Sequence, residues 1–233
     1  MPVTGVQTCA LPILDTASVP RSGRLRPEDV GFAPGDRVAF FTVRAGDPSD
    51  TRLNHLVLHV HDLPTAEHPE GTWWADVGLG GDGFSQPLAL RATRREDGPF
   101  AYALDASPVY AGGWRVVQEP AGSFVVADVG TVAPDRGELE AAHESLSQAP
   151  DSGFVTTATA QRRDATGVDI LRSCTLTRTE AAGTRQTVIE AESDWFAALR
   201  DVFGLHLDDV SAAERHALWA RVRAQHEAWL RDA

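Results

Sequence analysis

Between residues 37 and 118 the chain is divided into short apolar runs, at 37–44, 53–61, 72–77, 87–93, 101–104 and 114–118, separated by Gly, Pro and Asp. Runs of this length, punctuated by turn residues, predict an antiparallel sheet or a small β-barrel. Pro64, Pro69 and Gly71 stand between the second and third runs and suit a long turn. That turn would let the strands carrying His55 and Asp76 lie side by side.

Beyond residue 131 the pattern changes. Residues 138–146 are acidic and helical, followed by strand-like stretches at 154–162, 169–178 and 184–190. Two helices are predicted to close the chain. The first, at 194–203, puts Trp195, Leu199, Val202 and Phe203 on one face, with Gly204 placed to end it. The second opens with Ser211-Ala212-Ala213-Glu214, a capping-box pattern, and carries Leu218, Val222 and Trp229 on a stripe read as core. The expected class is α+β: an antiparallel β-barrel-like domain at 37–136, a connector at 137–157, and a strand-and-helix lid domain with the C-terminal helices at 158–233. Residues 14–36, rich in Pro, Gly, Arg and Ser, read as an irregular leader.

Composition narrows the function. With 42% hydrophobic residues the chain is globular in type, and its net charge of -12 speaks against a general nucleic-acid or anionic-membrane surface, both of which need clustered Lys and Arg. It contains no apolar run of about 18 residues, the length that predicts a membrane-spanning helix. The two cysteines are Cys9 and Cys174. Residues 3–13 look like a translated sequencing adapter and are set apart with the rest of 1–13 as a non-native segment. One thiol then remains, no intrachain disulfide is expected, and the cytoplasm is the expected compartment. Cys174 lies in a strand-like stretch in step with Ile170 and Leu176, where a cysteine behaves as a small buried hydrophobe.

The chemistry-bearing residues cluster in the first half. His55 in Asn54-His55-Leu56-Val57-Leu58 and Asp76 in Ala75-Asp76-Val77-Gly78-Leu79-Gly80-Gly81 form a potential base and orienting carboxylate. Gly78, Gly80 and Gly81 follow directly, and bare backbone N–H groups there could approach an anion closely. A turn needing positive φ is the structural alternative. A rival reading uses His55, His59 and His61, which share strand parity, with Asp76 or Glu67 as a cupin-like metal site.

These segments, with Gln86-Pro87-Leu88, Ser147-Gln148-Ala149-Pro150-Asp151-Ser152-Gly153-Phe154-Val155 and Cys174-Thr175-Leu176-Thr177-Arg178, resemble the arylamine N-acetyltransferase family in order and spacing from Val38 onward. The resemblance implies a Cys-His-Asp triad passing acetyl from acetyl-CoA to an aromatic amine or hydrazine, without a metal. His55 and Asp76 would be two members, and the turn at Gly78, Gly80 and Gly81 would meet the pyrophosphate of CoA. The family's nucleophile follows an Arg-Gly-Gly-x-Cys motif upstream of the histidine, within an N-terminal helical domain; neither occurs in this sequence. The natural chain is therefore expected to have been cut near Leu14, and the chain as written to be inactive. A non-catalytic CoA-binding homologue is the other alternative.

Overall fold

A computed structural model describes residues 37–45, 55–76, 78–122, 124–131 and 136–232. The segments 1–13 and 14–36, with Cys9, lie outside the described residues, as does the start of the 53–61 run. The chain divides between Ser145 and Leu146 into two compact units.

The first unit is built on one eight-stranded antiparallel sheet. Its strands are β1 Arg37–Ala45, β2 His55–His61, β3 Trp73–Ala75, β4 Leu88–Ala89, β5 Thr93–Asp97, β6 Phe100–Ala106, β7 Trp114–Glu119 and β8 Val126–Val129. Their spatial order, β4-β3-β2-β1-β8-β7-β6-β5, is two meanders joined where β1 lies against β8. The two edge strands, β4 and β5, are separated in sequence only by residues 90–92. The sheet must therefore curl until its edges meet. Side chains and backbone bridge the seam: Ser85 N and Oγ donate to Asp97 at 2.5 and 2.9 Å, and Arg95 donates to the Pro87 carbonyl at 3.3 Å and to Gln86. The result is barrel-like without a closed backbone ladder. Val57, Trp74, Leu88, Phe100, Tyr102, Leu104 and Val116 fill its interior, each 2% exposed or less.

Within this unit the structure departs from the sequence reading at β4–β5 and at β8. The run 87–93 is interrupted, because Arg91 N–H donates back to the Ala89 carbonyl at 2.8 Å and turns the chain between β4 and β5. Strand β8 has no counterpart in that reading, since Asp128 interrupts its apolar pattern. Asp128 is buried nonetheless, held by Arg115 Nε at 2.9 Å, Arg115 Nη2 at 2.5 Å and Ser107 Oγ at 2.6 Å. Pairing satisfies the charge that would otherwise exclude this residue from a sheet interior.

Helix α1, Arg136–Gln148, crosses the boundary between the units. The second unit continues with α2 Gly153–Thr156, β9 Thr159–Arg163, β10 Gly167–Arg172, β11 Thr175–Glu180, β12 Gly183–Val188, α3 Glu192–Asp201 and α4 Ala212–Asp232. Its sheet is an antiparallel meander, β12-β11-β10-β9. The stretch 154–162 is not one strand: Ser152 accepts from Phe154 N at 3.2 Å and caps a single helical turn before β9 begins. Nor is 169–178 one strand. It reverses at Ser173, whose φ of 50° is left-handed, and tertiary bonds hold that turn. Ser173 Oγ donates to Gln225 at 2.9 Å, its N–H donates to the Ala158 carbonyl at 2.8 Å, and its carbonyl accepts from Trp195 Nε1 at 2.8 Å.

The core of this unit gathers Leu171, Cys174, Trp195, Leu199, Phe203, Trp219 and Val222. Helix α3 ends as expected, with Gly204 at φ 73° donating to the Arg200 carbonyl at 3.0 Å. Trp229 departs from the predicted stripe. It is 61% exposed and stacks on His226.

Two stability predictions follow from these contacts. Ser211 and Glu214 form a reciprocal cap on α4: Glu214 N–H donates to Ser211 Oγ at 3.3 Å and Ser211 N–H donates to Glu214 Oε2 at 2.9 Å. Ser211→Ala is expected to cost about 1 kcal/mol in urea unfolding. His59, buried beside Trp74, is pushed from 6.5 down to about 4, first by burial and then by His61. Between those values the unfolded chain holds a proton that the folded chain lacks, so stability is complete above about pH 6.5 and declines as pH falls towards 4. That loss amounts to at most roughly 3 kcal/mol. Urea midpoints measured across this window should show it, and His59→Gln should flatten the profile.

Candidate active site

Register brings the candidate residues together. Strands β2 and β3 pair antiparallel with Leu58 opposite Ala75, His59 opposite Trp74 and Val60 opposite Trp73. His55 opens β2 and Asp76 follows directly on the end of β3, so this pairing leaves the two residues close to one another. Opposed and diagonal neighbours are within reach of long side chains. His55 Nε2–H donates to Asp76 Oδ1 at 2.9 Å and Oδ2 at 2.8 Å. The Asp76 side chain is 0% exposed and that of His55 15% exposed.

The carboxylate is held from two further directions. Gly78 N–H donates to Oδ1 at 2.9 Å, and Trp74 Nε1–H reaches Oδ2 at 3.4 Å. With Nε2–H turned to Asp76, the neutral ring presents Nδ1 as its acceptor. Among the described residues Nδ1 has no hydrogen-bond partner. Such a ring, fixed in one tautomer and partly open on its other edge, can take a proton from a neighbouring acid and return it.

The glycine-rich segment folds as a tight turn. Gly80 has a φ of 89°, which favours glycine, and its carbonyl accepts from Gly83 N–H at 3.2 Å. Two buried donors converge on the Asp82 carbonyl: Tyr102 OH at 2.5 Å and Gln118 Nε2 at 2.8 Å. They fasten the turn to β6 and β7. Trp74, Tyr102 and Gln118 did not emerge from the sequence as site residues. Trp74 could have been found, since it stands two residues before Asp76 and shares its strand parity. Tyr102 and Gln118 are remote in sequence and carried no such signal.

The described residues give the metal reading no support. His55 and His59 are four residues apart on one strand, about 13 Å at the usual rise, so shared parity does not make them converge. His55 is engaged by Asp76, and His59 packs against Trp74. Among the described residues no group of three or more His, Cys, Asp or Glu could hold a metal ion. Cys174 is 0% exposed in the second unit, and burial pushes its thiol up. That favours the neutral thiol over a reactive thiolate. No helix among the described residues is long and apolar enough to cross a membrane.

The fold is shared with solved acetyltransferase structures. Mycobacterium marinum arylamine N-acetyltransferase is 24% identical, with a TM-score of 0.66 over 81% of this chain and 68% of its own. The same enzyme in complex with CoA matches at 25% identity and a TM-score of 0.65, over 81% and 69% of the two chains. The arylamine N-acetyltransferase from M. tuberculosis matches at 23% identity and a TM-score of 0.66, over 82% and 69%. No curated protein sequence matches the chain. A family profile described as N-acetyltransferase covers residues 28–212, well over half of the chain, and the chain thus belongs to the arylamine N-acetyltransferase family.

Proposed function

We propose that His55 and Asp76 are the base and orienting carboxylate of an acetyl transfer from acetyl-CoA to an aromatic amine or hydrazine. The observation that carries this is the two-oxygen bond from His55 Nε2 to a carboxylate shut off from solvent. In this reading Nδ1 takes the proton of a cysteine thiol, and the thiolate attacks the acetyl carbonyl of the thioester. The CoA thiolate leaves and regains a proton from the imidazolium. The amine then attacks the acetyl-cysteine, gives its proton to Nδ1, and the enzyme thiolate departs. Asp76 keeps the ring in the required tautomer and stabilises its charged form.

The turn at Gly78, Gly80 and Gly81 is proposed to meet the pyrophosphate, chiefly through Gly80 and Gly81, because the Gly78 amide already serves Asp76. Clamping by Tyr102 and Gln118 would keep that turn in place before the substrate arrives. Cys174 is not proposed as the attacking thiol, because it is buried and burial pushes its thiol up. No cysteine of this sequence stands in an Arg-Gly-Gly-x-Cys setting. The chain as written is therefore proposed to be inactive. We place the protein in the cytoplasm, where its thiols would remain reduced.

Two outcomes check this reading. Incubated with acetyl-CoA and an arylamine, this chain should release no free CoA above the buffer rate. Release that disappears in Cys174→Ala would contradict the assignment of the nucleophile. In calorimetric titration CoA should bind at least about tenfold more tightly than pantetheine, which lacks the phosphates and so loses about 1.4 kcal/mol or more. Equal affinities would remove the turn from the binding site.

A further inference from the structure

We propose that Gly78 is a positioning residue of the His55–Asp76 pair, whose N–H fixes the carboxylate and whose missing side chain leaves the space that the imidazole fills. A Cβ built at Gly78 would lie 2.6 Å from His55 Cε1 and 3.5 Å from each ring nitrogen. Contacts below 3.0 Å are essentially never made by real Cβ atoms, so something must move. The ring cannot swing aside freely, because Nε2 is bound at 2.8–2.9 Å to both oxygens of Asp76. Backbone conformation does not explain the glycine. Gly78 lies outside the left-handed region, whereas Gly80 at φ 89° lies within it.

The two glycines therefore do different work. Gly80 permits the turn, while Gly78 permits the approach of the ring. The contact falls at this position because Gly78 lies just beyond the end of β3, beside the ring of His55 at the start of β2. Gly78 also grips the other partner through its bond to Asp76 Oδ1 at 2.9 Å. One residue without a side chain thus determines both the place of the ring and the aim of the carboxylate. A methyl group there would press the ring away from Asp76 and release the tautomer in which Nε2 carries the proton. The catalytic meaning of this inference rests on the proposed role of His55 and Asp76, but its test reads hydrogen bonding alone.

The test uses the chain labelled with 15N-histidine. Long-range proton–nitrogen spectra at alkaline pH identify which ring nitrogen carries the proton, a property that coordinates alone leave to be assigned. The unsubstituted chain should show His55 fixed as the Nε2–H tautomer, and Gly78→Ala should lose that signature to a mixture. Gly153→Ala, where a Cβ meets nothing within 4 Å, should retain it. An unchanged His55 signature in Gly78→Ala would overturn the proposal. A thermal cycle covers the case in which Gly78→Ala folds poorly. Gly78→Ala should lower the melting temperature in the unsubstituted chain and much less in a His55→Ala background, where the ring is gone. A variant that folds only in the His55→Ala background also supports the proposal, whereas equal loss, or failure to fold, in both backgrounds overturns it. Failure to bind CoA or to transfer acetyl bears on the preceding section and leaves this result intact.

Discussion

The antiparallel register of β2 against β3 is the constraint from which the candidate site follows. Leu58 opposite Ala75 is a backbone fact, but it dictates which side chains meet beyond the end of β3. A slip by one residue would turn every side chain of a strand to the other face. Here the register carries Trp74 into the core, 0% exposed, and brings Asp76 to the His55 ring. The core packing that makes a slip costly and the hydrogen bond that defines the site are consequences of the same pairing.

Around that bond the structure adds further restraints. Asp76 receives donors from His55, Gly78 and Trp74, and a buried carboxylate so surrounded cannot re-aim without losing charge-assisted bonds. The next turn is fastened by Tyr102 and Gln118, which reach the Asp82 carbonyl from the interior of the sheet. Gly122 faces this cluster so closely that a Cβ there would lie 1.9 Å from Asp82 Oδ2. Bare backbone on both sides lets polar groups and rings pack more closely than ordinary residues allow. Such fixed polar surroundings hold an acid–base group in one state before a substrate arrives.

Much of this was legible in the sequence, for reasons that differ by element. Strands β1, β2, β3, β6 and β7 stand close to their predicted positions because apolar runs were bounded by turn residues. The reciprocal cap at Ser211 and Glu214 and the left-handed Gly204 are local signals, read from a few neighbouring residues. What was missed depends on partners far away in sequence. Asp128 hides β8 until Arg115 and Ser107 are seen around it. Ser173 turns the chain without Gly or Asn because Gln225, Ala158 and Trp195 bind it. The same holds for the site. His55 and Asp76 were found from the resemblance and a shared face, whereas Tyr102 and Gln118 become visible only when the sheet curls. The histidine parity on β2 does not bring His55 to His59, since residues four apart on one strand are separated by about 13 Å.

The central claim is that His55, aimed by Asp76, activates a thiolate for acetyl transfer. The most direct measurement is steady-state kinetics of a protein in which an Arg-Gly-Gly-x-Cys segment precedes these residues, with acetyl-CoA and an arylamine varied together, comparing the unsubstituted enzyme with His55→Ala and Asp76→Asn. The account predicts parallel double-reciprocal lines, the mark of a covalent acetyl-enzyme. It also predicts that kcat falls by roughly a thousandfold or more in either variant, because members of a triad act as a unit. Intersecting lines, or a His55→Ala enzyme that retains its activity, would contradict it.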